Sequence, residues 1–266
     1  MVASFYPLAH VAEQVGGDAV TVRNLTPPGV EPHDLELTPD DLEAIATADV
    51  VISLGAGFQP AVEDAVEAEA TGATIDALVG VELLPSGDDE FVGDPHVWLD
   101  PAIYGDIAER VASALAESDR GRADAYTENA GRFRAELLGL DAEFRDGLAS
   151  CTTRVMITNH AALGYLAAAY DLDQDAISGL SPDAEPDPGR IAELAAEARA
   201  RGATTVFTED LVSAEVAETL AAEAGIGTAV LSPLEGLTEE QVASGDDYLS
   251  VMRQNLEKLR DGLACS

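Results

Sequence analysis

Lysine is almost missing from this chain. Of its 14 basic residues only Lys258 is not arginine, and they face 50 acidic residues, for a net charge of −36 over 266 residues. A surface so short of cations is unsuited to gripping nucleic acid or an anionic membrane, since both need clustered positive charge. It suits a soluble protein in concentrated salt, where charges are screened within about 3 Å at 1 M, and we read it as a halophilic surface unrelated to any ligand. Long apolar runs are absent too, and none approaches the roughly 20 residues that span a bilayer. The chain opens on Val2-Ala3-Ser4-Phe5-Tyr6, read as a first strand, with no charged n-region, apolar h-region or cleavage site. Either the protein stays in the cytoplasm or a leader lies outside this chain.

Cysteine is scarce as well: Cys151 precedes an expected strand and Cys265 ends the last expected helix. In an α/β lobe that helix runs antiparallel to the strands, so its end returns to the strand starts. A disulfide between the two is expected, and it would imply an oxidising compartment.

What is present is an alternation of short β-like runs and amphipathic helical stretches, the pattern of parallel α/β architecture. Strands are expected at Val2–Tyr6, Val20–Leu25, Asp49–Leu54 and Ala73–Ala77, with helices at Leu8–Val15, Asp40–Ala48 and Pro60–Glu69. The second half repeats the pattern, with strands at Arg154–Thr158, Ala176–Ser178, Thr204–Thr208 and Thr228–Leu231. Its helices are expected at Ala161–Tyr170, Arg190–Arg201, Ala214–Ala224 and Asp247–Leu263. Between the halves, Phe133, Leu137, Leu140, Phe144 and Leu148 recur at spacings of three and four and predict a helix from Arg122 to Leu148. At roughly 1.5 Å per residue it would be about 40 Å long, a strut joining two lobes and allowing little hinge motion. The expected division is 1–119, a first α/β lobe; 120–149, the linking helix; and 150–266, a second α/β lobe. Low-complexity segments are absent; Pro85–Gly93, with Asp88, Asp89 and Glu90, reads as a solvated loop and Ser181–Pro188 as an ordered surface loop.

Histidine is the other rare residue, with four in all. His33, His96 and His160 each follow a Pro or Asn turn and precede an element start, in Gly29-Val30-Glu31-Pro32-His33, Asp94-Pro95-His96-Val97-Trp98 and Thr158-Asn159-His160. Each is expected near the carboxyl edge of a strand, where open α/β sheets place their ligands. They are 63 and 64 residues apart, too far for a local zinc clip, so only a two-lobed scaffold could gather them around one metal in the cleft. His10, inside a helical stretch, has no such setting, and Trp98 reads as core beside the His96 loop.

The segments GVEPHDLELTPDDLEAIATADVVISLG, DPHVWLDP, TNHAALGYLAAAY, FTED and YLSVMRQNLEKL resemble those of the zinc/manganese solute-binding receptors of ABC importers, the cluster A-I group. The likeness runs from Ser4-Phe5-Tyr6-Pro7 to the last helix. It implies two parallel-sheet α/β lobes joined by a long rigid helix, with one metal held between them for delivery to a membrane permease and its ATPase. By position His33, His96 and His160 match three family ligands. A histidine at the third leans toward zinc, with manganese the alternative. The fourth ligand in the family is a carboxylate in a motif LDPLG, where this chain has Leu231-Ser232-Pro233-Leu234-Glu235. Ser232 is a poor replacement, so Glu209, at the end of an expected strand, becomes the expected fourth ligand; its alternative role is to orient a metal-bound histidine, with Glu31, Glu235 or a water as the other candidates for the fourth position.

The expectation is therefore an extracytoplasmic monomer, tethered through a leader outside this chain, that captures a metal without performing chemistry. A zinc hydrolase with an open fourth position is the rival reading, but no general base lies one or two residues from a ligand, as an H-E-x-x-H helix would supply. A surface adhesin on the same fold is a third.

Overall fold

Val2 and Ala3 are buried and apolar and form β1 (Val2–Ala3), but the strand ends well before Tyr6. Pro7 falls in the first turn of α1 (Tyr6–Gly16), where a missing N–H leaves no hydrogen bond unmade. The computed structural model describes residues 1–86, 91–182 and 188–266. It continues through β2 (Arg23–Asn24), α2 (Pro39–Thr47), β3 (Val50–Ser53), α3 (Pro60–Glu69) and β4 (Ala73–Asp76). β2 is shorter than the expected Val20–Leu25, because Val20 closes the tight turn Gly17–Ala19 instead of pairing. The four strands form one parallel sheet in the order β2-β1-β3-β4, with Ile52 between Ala3 and Ile75. A 3-10 turn, Val97–Leu99, then leads into α4 (Pro101–Ser118), capped where the Asp100 carboxylate accepts the Ala102 N–H.

The linking helix is α5 (Ala123–Leu148), 26 residues and so about 39 Å long. It buries Tyr126, Ala130, Phe133, Leu137, Leu140, Phe144 and Leu148, the stripe visible in the sequence, each large side chain contributing roughly 2 kcal/mol. That stripe packs along α4 and against α1 and α10 (Tyr248–Gly262), the last helix.

The second half holds β5 (Val155–Thr158), α6 (Gly164–Ala169), β6 (Asp173–Ala176), α7 (Pro188–Arg201), β7 (Thr205–Thr208), α8 (Glu215–Ala224), β8 (Gly227–Val230) and α9 (Glu239–Ser244). Its sheet is parallel in the order β6-β5-β7-β8, so the fold is two parallel-sheet α/β lobes. The strand expected at Ala176–Ser178 lies earlier, at β6. Its sequence Asp-Gln-Asp-Ala is polar because it is an edge strand with no buried residue, so no apolar run marks it. α9 was not expected, although Thr238 and Gln241 form a reciprocal capping box at its start. Asp88, Asp89 and Glu90, and most of Ser181–Pro188, lie outside the described residues.

The two halves share one apolar core. A single cluster runs from Phe5, Leu8 and Trp98 through Phe133 and Phe144 to Met156, Leu166, Leu234 and Met252. His10 belongs to it: buried in α1, its Nδ1 lies 3.2 Å from the Tyr104 hydroxyl, and burial pulls its pKa down to about 4. It is a neutral core histidine. Cys151 and Cys265 are disulfide-bonded, tying the chain just before β5 to the chain just after α10. Among the described residues no helix is long and apolar enough to cross a membrane.

Candidate metal centre

His160 stands directly after β5, at the carboxyl edge of the second sheet, and is fully buried. Its backbone N–H donates to Glu209 Oε1 at 3.0 Å, and its ring Nδ1 lies 2.7 Å from the same carboxylate. Glu209 itself follows the end of β7, so two neighbouring strands fix one side chain and its support. His96 repeats this arrangement in the first lobe. Asp94 Oδ1 accepts the His96 backbone N–H at 2.9 Å and lies 2.7 Å from its Nδ1. In each case the carboxylate fixes the proton on Nδ1 and turns Nε2 toward the cleft. His33 is reached from β2 through the Pro27-Pro28-Gly29 turn, where Gly29 adopts φ +80°. Its loop is held by Gln59, whose amide donates to the Pro32 carbonyl at 3.1 Å, and its ring packs edge-on to Phe58 at 4.4 Å.

The three Nε2 atoms face one oxygen. Glu235 Oε1 lies 3.7 Å from that of His33, 3.2 Å from that of His96 and 3.0 Å from that of His160. One ligand atom from each of these four residues falls within 4.8 Å of the other three. A tetrahedron of donors about 2.05 Å from zinc has edges of about 3.3 Å, and the three distances straddle that length. Two of the donors, Nε2 of His33 and of His96, are buried and make no hydrogen bond among the described residues. Such orphaned lone pairs are costly unless they have a partner such as a metal ion. The donor set, three imidazoles and one carboxylate, fits zinc.

The electrostatics are those of a charge trap. Burial works to lower the pKa of both His96 and His160, but the carboxylates of Asp94, Glu209 and Glu235 outweigh it. His96 is raised, and His160 stands well above the usual imidazole range. Burial would raise Glu235, yet the three imidazoles hold it well below the usual carboxylate range. Burial lowers His33. Glu31 lies outside the group of four, and burial together with Glu235 pushes it up to about 8.

Sequence reasoning thus gathers the three histidines that the structure brings together. It assigns Glu209 to the fourth position, whereas the structure sets Glu209 on the far nitrogen of His160 and puts Glu235 among the Nε2 atoms. The Ser232 hydroxyl turns inward on its own loop, accepting the Leu234 N–H at 3.3 Å. The available signal was that Glu235 is the first carboxylate after the last strand, β8.

One glycine is required at this centre. Gly164 opens α6, and a Cβ there would lie 2.6 Å from Asp94 Oδ2. Asp94 is 3% exposed, and its carbonyl accepts the Tyr165 hydroxyl at 2.9 Å. A Gly164→Ala variant is expected to push the carboxylate off His96 and to weaken zinc binding by about tenfold or more. Competition against a coloured chelator measures this, and an affinity equal to the parent's would refute it.

Two α/β lobes with a buried three-imidazole, one-carboxylate centre between the carboxyl edges of their sheets define a protein of the two-lobed metal-receptor type. Residues 1–262 match the family described as zinc-uptake complex component A, periplasmic, and the chain belongs to that family. It is 33% identical over 277 residues to the high-affinity zinc uptake system protein ZnuA of Bacillus subtilis, covering 99% of this chain and 87% of that protein. It is 34% identical over 275 residues to the zinc-binding lipoprotein AdcA of Streptococcus pneumoniae, covering 98% of this chain. The chain spans 55% of that relative's length. The Zn(II)-bound ZnuA-like domain of the same AdcA superposes with a TM-score of 0.85 at 36% identity, covering 98% of this chain and 97% of that one. The laminin-binding protein Lmb of Streptococcus agalactiae, described as bifunctional with adhesin and metal transporting activity, superposes at 0.90 with 30% identity over 98% of both chains.

Proposed function

We propose that this chain is an extracytoplasmic receptor that captures zinc through His33, His96, His160 and Glu235 and hands it to an ABC permease driven by a cytoplasmic ATPase. The observation that carries the reading is Glu235 Oε1 standing 3.0 to 3.7 Å from three imidazole nitrogens. Three nitrogen donors favour zinc over manganese, which prefers oxygen. A fourth protein donor occupies the position that a zinc hydrolase keeps for water, which favours a carrier over a catalyst. The zinc-related names of relatives that match across the whole chain support the same reading, and the disulfide accords with an oxidising compartment. We take 1–119 and 150–266 as the lobes and 120–149 as the strut between them, in a monomeric, lipid-tethered receptor. Metal analysis of protein purified without chelator or added metal should find one zinc per chain. Anomalous scattering at the zinc edge should then place it on these four residues; manganese in its place, or zinc elsewhere, would refute the assignment.

The geometry also makes uptake a proton exchange. Without metal His160 faces Glu209 at one nitrogen and Glu235 at the other, at 2.7 and 3.0 Å, and the two carboxylates favour the doubly protonated ring. Zinc must displace the proton on Nε2. Because the imidazole pKa is raised, affinity is full only above that raised value and falls as pH drops through it. Calorimetry at pH 7 in two buffers of different ionisation heat should show a net release of protons on zinc binding. No release, or full zinc retention on dialysis at pH 4, would contradict this.

A further inference from the structure

The segments that supply His33 and His96 also grip the backbone on both sides of Glu235. Two residues before it, the Pro233 carbonyl accepts the indole N–H of Trp98 at 2.8 Å. Two residues after it, the Leu237 carbonyl accepts the backbone N–H of Gly29 at 2.8 Å. Trp98 lies two residues beyond His96 and Gly29 four before His33, so both donors come from the first lobe although Glu235 belongs to the second. Between the two grips the chain is strained. Leu234 has φ +56°, in the left-handed region that a residue with a side chain rarely adopts. Such a conformation persists only where its surroundings over-determine it. The second lobe supplies part of that restraint: Asn255 donates to the Ser232 carbonyl at 2.7 Å and accepts the Ser232 N–H at 2.9 Å. The rest comes from Trp98, which is 1% exposed, has its ring 4.9 Å from Phe5 and 5.2 Å from His96, and accepts the Tyr248 hydroxyl on its own carbonyl at 2.6 Å.

We propose that Trp98 is a positioning residue for zinc capture, holding the Glu235 carboxylate in the ligand shell through the Pro233 carbonyl and the left-handed turn at Leu234. The proposal rests on the reading of Glu235 as a ligand. It assigns the indole N–H a task beyond filling the core: it sets the distance between the His96 segment and the carboxylate loop of the opposite lobe.

A double-mutant cycle on the full chain separates positioning from packing. Trp98→Phe removes the N–H and keeps an aromatic ring against Phe5 and His96. Zinc affinity, read by chelator competition, should fall about tenfold, as for other groups that orient metal ligands. In a Glu235→Gln background the same change should cost less than about twofold, because the carboxylate it positions is gone. Cobalt(II) in place of zinc should show weaker visible bands in Trp98→Phe, as more than one water takes the place of the carboxylate and the coordination number rises above four. An equal loss in both backgrounds, or no loss in the parent background, overturns the proposal and leaves Glu235 as a ligand. A Glu235→Gln variant that binds zinc like the parent overturns the ligand reading and this inference with it. If Trp98→Phe does not fold, 3-benzothienylalanine at position 98, with sulfur in place of the N–H and the ring shape preserved, makes the same comparison.

Discussion

Alanine at position 160 is expected to lower zinc affinity by two to three orders of magnitude while leaving a folded chain. A structural zinc contributes about 10–16 kcal/mol of binding free energy. Shared over four donors, that is roughly 2.5–4 kcal/mol each, and about 1.4 kcal/mol is a factor of ten. His160 is the donor to which this applies most fully. It is wholly buried, and it stands between two carboxylates whose side chains are 6% and 2% exposed. Its loss leaves Glu209 with no imidazole to orient and takes from Glu235 the nearest of its three imidazoles. Chelator competition reads the affinity, and circular dichroism of the metal-free variant reads the fold. Binding as tight as the parent's would end the assignment of this centre.

Converting both Cys151 and Cys265 to serine should lower the unfolding free energy by about 5 kcal/mol. The bridge spans 114 residues, and the chain-entropy cost of closing a loop of that size is about 5 kcal/mol, borne by the unfolded state. A loss on that scale is a third or more of the roughly 5–15 kcal/mol that holds a typical domain together. The enclosed loop contains the entire second sheet and α10, so the effect should concentrate there. The neighbouring Thr152 N–H donates to the Leu263 carbonyl at 3.1 Å, so these chain ends remain paired without the sulfurs and the variant should still fold. Guanidinium titration of variant and parent in oxidising buffer gives the difference, and coincident midpoints would refute it. A thiol assay on the unreduced parent should find no free thiol, and two would rule out the bridge.

The residues that could be read in advance were those whose environment is set locally. The stripe on α5 follows from helical spacing alone, and His160 follows β5 so closely that its place at the sheet edge is settled by the strand. His33 and His96 were found by the same logic, although each lies well beyond its strand. β6 could not be found this way, since an edge strand of Asp-Gln-Asp-Ala carries no apolar signal. The carboxylate facing the imidazoles was hidden for a different reason. Glu209 and Glu235 both follow strands, and sequence pattern treats them alike. Only the left-handed turn at Leu234, imposed by Trp98 and Asn255 from separate parts of the chain, points the later carboxylate at the imidazoles and leaves the earlier one behind His160.

The core that both halves share limits how the ion can leave. Swinging the halves apart as rigid bodies would bring Trp98, Leu163, Tyr165, Leu234 and Met252 into water at about 25 cal/mol for every square ångström of apolar surface uncovered. A rigid-body swing of the halves is therefore a costly way to open the cleft.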